Sequence, residues 1–356
     1  MTWFARRSDV MCGRRGDRLA SPTRMFGPKP LVALASCLVA LLSSSLFAFD
    51  VRVAEPWSDV FGGQDATFHC LVIGDAALRG RIAWTLRAGN ATLARQEREL
   101  VVAPGAAATT EVRLQMPEAK EGVVADLALA FAVFDANGKQ VGACVKPVFL
   151  FPSDAFQGRK EWFRDLHVRV FDPEKKTAGR LTREELAFEL VANADTIADM
   201  TNGVLIVGEG VSFKDYRGLW GDVVRAAARG TRVLCLAPAA GSIDLPLGAG
   251  SDLPRATSFQ LRDQTVIHQL DKRLDAVAWP PDGRTCASGL AIQGERGPVV
   301  AEVVAPDQGW PWLDLEFPGG RGRVIVYTFA VVDKWETGPA PRFLLTRILE
   351  YLAGSP

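Results

Sequence analysis

The sequence predicts an all-β sandwich over residues 50–152, followed by an α/β domain over 153–356 built on a mostly parallel sheet. Three observations predict it. Between 66 and 151, apolar and polar residues alternate in short runs broken by Gly, Pro and Asn, the pattern of strands with one buried face. From 166 onward the apolar runs become continuous and rich in Val, Ile and Leu, as strands covered on both faces require. A helical pattern separates two of these runs, so strand, helix and strand follow one another as a βαβ unit.

Length and charge bound the rest. At 356 residues the chain is long enough for two ordinary domains. Hydrophobic residues make up 48% and charged residues 23%, a globular profile. Lys plus Arg equals 41 and Asp plus Glu equals 41, so the net charge is zero and no electrostatic footprint for nucleic acid exists. The phosphate-cradling pattern GxxxxGK[ST] is absent, which argues against P-loop nucleotide hydrolysis.

The first 48 residues read as an address. LVALASCLVALLSSSLFA (31–48) carries no charge, follows Arg24 and Lys29, and contains the small-residue run Ser43-Ser44-Ser45. A basic flank, an apolar core and a small-residue exit make a secretory signal. Cleavage is expected near Ala48. The run is also long enough for a retained membrane anchor, and Leu34-Ala35-Ser36-Cys37 looks like a lipoprotein cleavage box. Residues 1–24 are Arg-rich and unpatterned, which leaves Met25 as an alternative start. The expected location is therefore exported: periplasm, cell surface or secreted, with membrane contact only through an uncleaved N-terminal segment.

The strands expected include 66–74, 80–89, 91–102, 109–116, 124–134 and 140–151. In RIAWTL, Ile82, Trp84 and Leu86 share a face opposite Ala83 and Thr85. Asn137-Gly138 is a hairpin signal, because both residues accept the positive φ of a type I′ turn. About seven strands in about 100 residues, with a Trp on a central one, suggest an immunoglobulin-like sandwich. Pro152-Ser153 then begins a linker.

In the second half, LHVRVF (166–171), GVLIVGEG (203–210) and TRVLCLAP (231–238) are strand runs. Leu219, Val223, Ala226 and Ala227 recur at helical spacing, and Gly230 sits where that helix stops. Thr182 as cap, Glu185 three residues later and the Leu181/Leu186 pair fit a capping box with a hydrophobic staple. That predicts a helix beginning at Arg183. The parallel sheet asks for a strand near 188–191 instead, and both readings stay open. WPWLDLEF (310–317) and RVIVYTF (323–329) read as strands joined by a Gly-rich turn. PRFLLTRILEYLAG (341–354) is an amphipathic helix with Phe343, Leu344, Ile348 and Leu352 on its buried stripe.

The succession FDPEKKTAGRL, GVLIVGEG, RGTRVLCLAP, GRGRVIVYTF and RFLLTRILEYL resembles the class I glutamine-amidotransferase-like fold, flavodoxin-like in arrangement. The closer likeness is to its non-catalytic versions, which stand beside β-sandwich modules in glycoside hydrolase family 2-type and β-galactosidase trimerisation-type proteins. The resemblance covers 153–356 and lies in pattern, not in a signature. In active members a Cys stands on a sharp elbow after such a strand, and a His-x-Glu pair arrives from near the C-terminus. Here the elbow falls around 237–240, where no Cys, Ser or Thr occurs, and no His follows His268. Cys235 lies earlier, between Leu234 and Leu236, and reads as an inert strand residue. No catalytic residue is assigned.

Ligands of open α/β sheets collect beyond the carboxyl ends of the strands, which nominates Asp172 and Glu209. Exposed tryptophans can stack on sugar rings, which nominates Trp310, Trp312 and Trp335. Cys70 and Cys144 can pair in an oxidising compartment, closing a loop worth about 4 kcal/mol in the chain-entropy account, or remain two buried free thiols. No CxxC and no Cys/His cluster occurs, and the three histidines (His69, His167, His268) stand apart, so no metal and no cofactor is expected.

The function expected is a non-catalytic binding or scaffolding protein of the cell envelope, linked by the resemblance to polysaccharide processing. Its partner would be a polysaccharide or an envelope protein. Two alternatives stand: a hydrolase or esterase working through carboxylates at the strand ends, and a structural, membrane-anchored envelope component. No oligomeric state is specified.

Overall fold

Period-two alternation folds the first half into two packed sheets. The computed structural model describes residues 48–246, 252–286, 289–293, 310–319 and 322–354. Before residue 152 it contains β1 (Asp50–Val53), β2 (Asp59–Phe61), β3 (Asp65–Ile73), β4 (Leu78–Ala88), β5 (Ala91–Val102), β6 (Ala107–Gln115), β7 (Ala125–Asp135) and β8 (Gln140–Phe151). One sheet runs β1-β3-β6 and the other β2-β8-β7-β4-β5. All pairs are antiparallel except β2 with β8. Phe68 and Val72 of β3 share one core with Ile82, Trp84 and Leu86 of β4 and Leu129, Phe131 and Val133 of β7. The β7–β8 hairpin turns at Asn137-Gly138, where Gly138 takes φ 80°. Cys70 and Cys144 are not bridged; both are free thiols.

The segment after Pro152 is not an open linker. Phe151, Ala155 and Phe156 are buried in the same core as the second half, and Phe151 packs on Phe343 at 4.7 Å between ring centroids. Its apolar residues are covered because the sandwich end and the helical layer share that core.

The second half contains α1 (Lys160–Asp165), β9 (Val168–Phe171), α2 (Lys176–Arg183), β10 (Glu189–Leu190), a 3₁₀ turn (Ala194–Asp199), β11 (Val204–Val207), α3 (Leu219–Ala228) and β12 (Arg232–Leu236). Then come β13 (Ala240–Asp244), β14 (Ser258–Arg262), α4 (Val266–Leu270), β15 (Gly289–Gln293), β16 (Trp312–Glu316), β17 (Arg323–Tyr327) and α5 (Pro339–Ala353). The main sheet has the order β10-β9-β11-β12-β17-β16-β14. Its first five strands are parallel, and β16 and β14 add antiparallel pairings.

Both faces of the sheet's inner parallel strands β9, β11, β12 and β17 are covered, which is why those strands lack alternation. Val168, Val170, Ile206, Leu234 and Ile325 point to one face, under α1, α2, α4 and α5. Leu205, Val207, Val233, Cys235 and Val326 point to the other, under the 3₁₀ turn, α3 and the β13–β15 ribbon.

One helix reading is corrected. The helix does not begin at Arg183 but ends there. Glu185 takes φ 57°, Leu186 N donates to Leu181 O (3.0 Å) and Glu185 N to Thr182 O (3.0 Å). This is a Schellman C-terminus, whose apolar contact joins residues five apart. An N-terminal staple uses the same spacing, so the Leu181/Leu186 pair satisfies either end. The strand expected near 188–191 is present as β10. The N-terminal segment 31–47, with its signal, anchor and Cys37 readings, lies outside the described residues. Among the described residues no helix is long and apolar enough to cross a membrane.

Candidate functional site

Chain direction creates the site. From β9 the chain crosses by α2 to β10 on one side, then passes by the 3₁₀ turn to β11 on the other. The two connections cover opposite faces, so their loops diverge and leave a crevice at the carboxyl ends of the strands. A cleft of about 770 Å³ lies there, walled by Asp172 and Lys175 after β9, Asn193 and Asp195 after β10, and Tyr216 and Arg217 after β11.

Asp172 is the buried carboxyl of this wall. The residue is 4% exposed. Its Oδ2 accepts the Ala178 N–H of α2 at 2.8 Å, while its Oδ1 has no hydrogen-bond partner. Burial pushes its pKa above the ordinary carboxylate value, against the pull of the α2 backbone N–H groups. The carboxyl fits only because residue 208 is glycine: a Cβ there would stand 2.7 Å from the Asp172 Cγ. Tyr216 is partly exposed and meets Phe171 edge-on at 5.3 Å, which holds its ring at the cleft wall. Asn193 Oδ1 accepts the Asp195 N–H and caps the 3₁₀ turn (3.1 Å). Arg217 and Lys175 are exposed beside them. Tyr216 and Arg217 escaped the sequence reading. The available signal was an aromatic flanked by charges in KDYR, just past a strand exit.

The other expected ligand residues are withdrawn from solvent. Glu209 is 3% exposed, and its carboxylate accepts the N–H groups of Val332 (2.6 Å) and Asp333 (2.8 Å) and pairs with Lys176 (3.5 Å). Its backbone N–H donates to the Thr177 hydroxyl. It braces the 331–335 loop onto the strand end, and every contact the cleft would ask of it is already used. Trp310, Trp312 and Trp335 are 2%, 0% and 1% exposed and offer no face to a sugar. Trp312 stacks on Tyr327, and Trp335 donates its indole N–H to Glu184 under the guanidinium of Arg180.

The exit of β12 is a sharp elbow. Ala237 takes φ 31°, uncommon for a residue with a side chain, and is 2% exposed. Its N–H donates to Tyr327 O at 2.7 Å. Cys235, two residues earlier, is fully buried, and burial alone drives its thiol pKa far up. Among the described residues no group of three His, Cys, Asp or Glu side chains is placed to hold a metal ion.

No family profile and no curated protein sequence matches the chain. Solved structures are similar over parts of it. The sporulation control protein of Bacillus subtilis aligns at 13% identity over 33% of this chain and 55% of its own, with a TM-score of 0.27. A CARDB domain from Pyrococcus furiosus aligns at 11% identity over 30% of this chain and 94% of its own, with a TM-score of 0.22. A Paenibacillus cycloisomaltooligosaccharide glucanotransferase aligns at 10% identity over 52% of this chain and 27% of its own, with a TM-score of 0.25. This chain thus spans about half the length of the first of them. The likenesses are partial, and the molecule is described by its own architecture: an all-β half followed by an α/β half.

Proposed function

We propose that this is an exported binding protein without catalysis of its own, and that its ligand, a polysaccharide segment, lies in the cleft at the carboxyl ends of β9, β10 and β11. The observation that carries the reading is the β12 exit. The order β10-β9-β11-β12-β17 corresponds to the doubly wound order 2-1-3-4-5, which supports an amidotransferase-like ancestry. In that fold the elbow holds the nucleophile. Here the strained backbone is present at Ala237, but the side chain is a methyl group, and the nearest thiol is an inert core residue. The immunoglobulin-like half then reads as a spacing or orienting module.

The cleft suits a hydroxyl-rich ligand. Its size lies within the roughly 300–1,000 Å³ of small-molecule sites. Asp, Arg and Lys side chains of both signs, with an Asn, surround the Tyr216 ring and the Phe171 ring it meets edge-on, which supports many-point hydrogen bonding beside an aromatic surface. A second reading is favoured by one feature: the buried Asp172 carboxyl, held toward its protonated form, has the character of a general acid.

Calorimetric titration of the full chain with envelope oligosaccharides, with product analysis, separates the two. Binding without turnover, weakened about three- to tenfold by Tyr216→Ala, is expected. Turnover abolished by Asp172→Asn would replace the binding reading with the hydrolase. Equal binding by wild type and Tyr216→Ala would place the ligand elsewhere.

A further inference from the structure

The two cysteines of the sandwich belong to different sheets, yet they meet. β1 hydrogen-bonds along β3, with Val53 opposite Cys70. The same segment runs against β8. Phe49 N donates to Val141 O (3.2 Å), Gly142 is pressed against Val51, and Lys146 Nζ donates to Glu55 O (2.9 Å). Residues 49, 51 and 55 thus lie level with 141, 142 and 146, which puts Val53 level with Cys144. Both cysteines therefore stand level with Val53, one on each sheet, and their side chains interact directly at this seam.

Their surroundings differ. Cys70 is 0% exposed inside the core, and Cys144 is half-buried at its margin. Lys146, two residues on along β8, faces the same way as Cys144 and is itself buried, a costly place for an ammonium. The hydrogen bond from the Cys70 thiol holds the Cys144 pKa below that of an ordinary thiol; Lys146 helps, while burial and Asp50 oppose. The Cys70 thiol is pushed up by the same contact, by burial and by Glu55. The neighbouring side chains of Glu55 and His69 are hydrogen-bonded to each other at 2.6 Å.

We propose that Cys70 and Cys144 form a two-electron redox pair in which Cys144 attacks a disulfide oxidant and Cys70 resolves the product into a bond between the two sheets. The Cys144 thiolate attacks one sulfur of RS–SR. An S–S bond to Cys144 forms, the oxidant's own bond breaks, and the first RS⁻ leaves and takes up the proton Cys144 lost. Cys70 then gives up its proton and attacks the Cys144 sulfur. The Cys70–Cys144 bond forms, the Cys144–SR bond breaks, and the second RS⁻ takes the proton of Cys70. Two protein thiols are oxidised and one disulfide is reduced to two thiols. The half-buried, lower-pKa partner attacks and the fully buried one resolves, the division that thiolate character and access dictate.

The test is exposure of the reduced full chain to oxidised glutathione, with timed acid quenching and peptide mass mapping. A transient glutathione adduct on the Cys144 peptide, followed by a Cys70–Cys144 cross-link, is expected. Cys70→Ser should trap the adduct at Cys144. Alkylation of the reduced protein should be about tenfold or more faster at Cys144 than at Cys70, since the former has both the greater thiolate character and the greater access. A stable adduct with no cross-link in the wild type, or first reaction at Cys70, overturns the proposal. The wild-type time course decides the matter even if Cys70→Ser does not fold.

Discussion

Asp275 couples the two halves of the molecule to pH. It follows α4 and is 9% exposed. Its carboxyl accepts the backbone N–H of Ser58 at 2.9 and 3.0 Å and that of Asp59 at 3.2 Å, just where β2 of the sandwich begins. Asp59 in turn accepts the Ala340 N–H in the first turn of α5 (2.7 Å). Burial pushes the Asp275 pKa from 3.8 up to about 7 and outweighs the pull of the Ser58 N–H. The folded protein therefore holds this proton more tightly than the unfolded chain. The stabilisation is complete below about pH 3.8, declines as pH rises, and is gone above about pH 7. At about 1.4 kcal/mol per pH unit the loss is about 4 kcal/mol. Asp275→Asn keeps one acceptor oxygen and does not titrate. Guanidinium unfolding of both proteins between about pH 4 and about pH 8 should show the wild type losing about 4 kcal/mol relative to the variant. A pH-independent difference, or a wild type that gains on the variant as pH rises, would refute the reasoning. It would mean that the N–H donors outweigh burial and keep the carboxylate ionised throughout.

Other outcomes follow from the same geometry. Glu209→Gln places an amide donor against the two N–H groups of Val332 and Asp333, so chemical denaturation should show a loss of about 2–4 kcal/mol; an unchanged midpoint would remove its bracing role. Cys235 should resist alkylation in the native protein across pH and react only on unfolding. Rapid native labelling with an apparent pKa below about 8.5 would restore a nucleophile to the β12 exit.

The strands of the sandwich were legible because their alternation is local. Ile82, Trp84 and Leu86 are buried while Ala83 and Thr85 between them are partly exposed, as period two requires. β5 and β8 run over the ranges the alternation predicts. Helix α3 buries Leu219, Val223, Ala226 and Ala227, and α5 buries Phe343, Leu344, Ile348 and Leu352, because 3.6-residue spacing puts each set on one face. Local pattern is ambiguous where two motifs share a spacing. Leu181 and Leu186 stand five apart at either end of a helix, and only the left-handed Glu185, with the backbone hydrogen bonds that close the turn around it, decides for the C-terminus. It is silent on whether a tryptophan is covered. Trp312 and Trp335 are packed against Tyr327, Glu184 and Arg180, residues brought to them by β17 and by the C-terminal turn of α2.

The sequence by itself determined most of the strand and helix types, the β-then-α/β order and the lack of any Cys, Ser or Thr at 237–240, since each depends on residues a few positions apart. The tertiary structure decided which strand ends diverge, which carboxyl lies in the cleft and which thiols meet. Asp172 and Tyr216 share a wall, and Cys70 and Cys144 share a seam, only because strands distant in the chain lie side by side. That arrangement comes from long-range burial on two sheet faces, a quantity no short window of sequence contains.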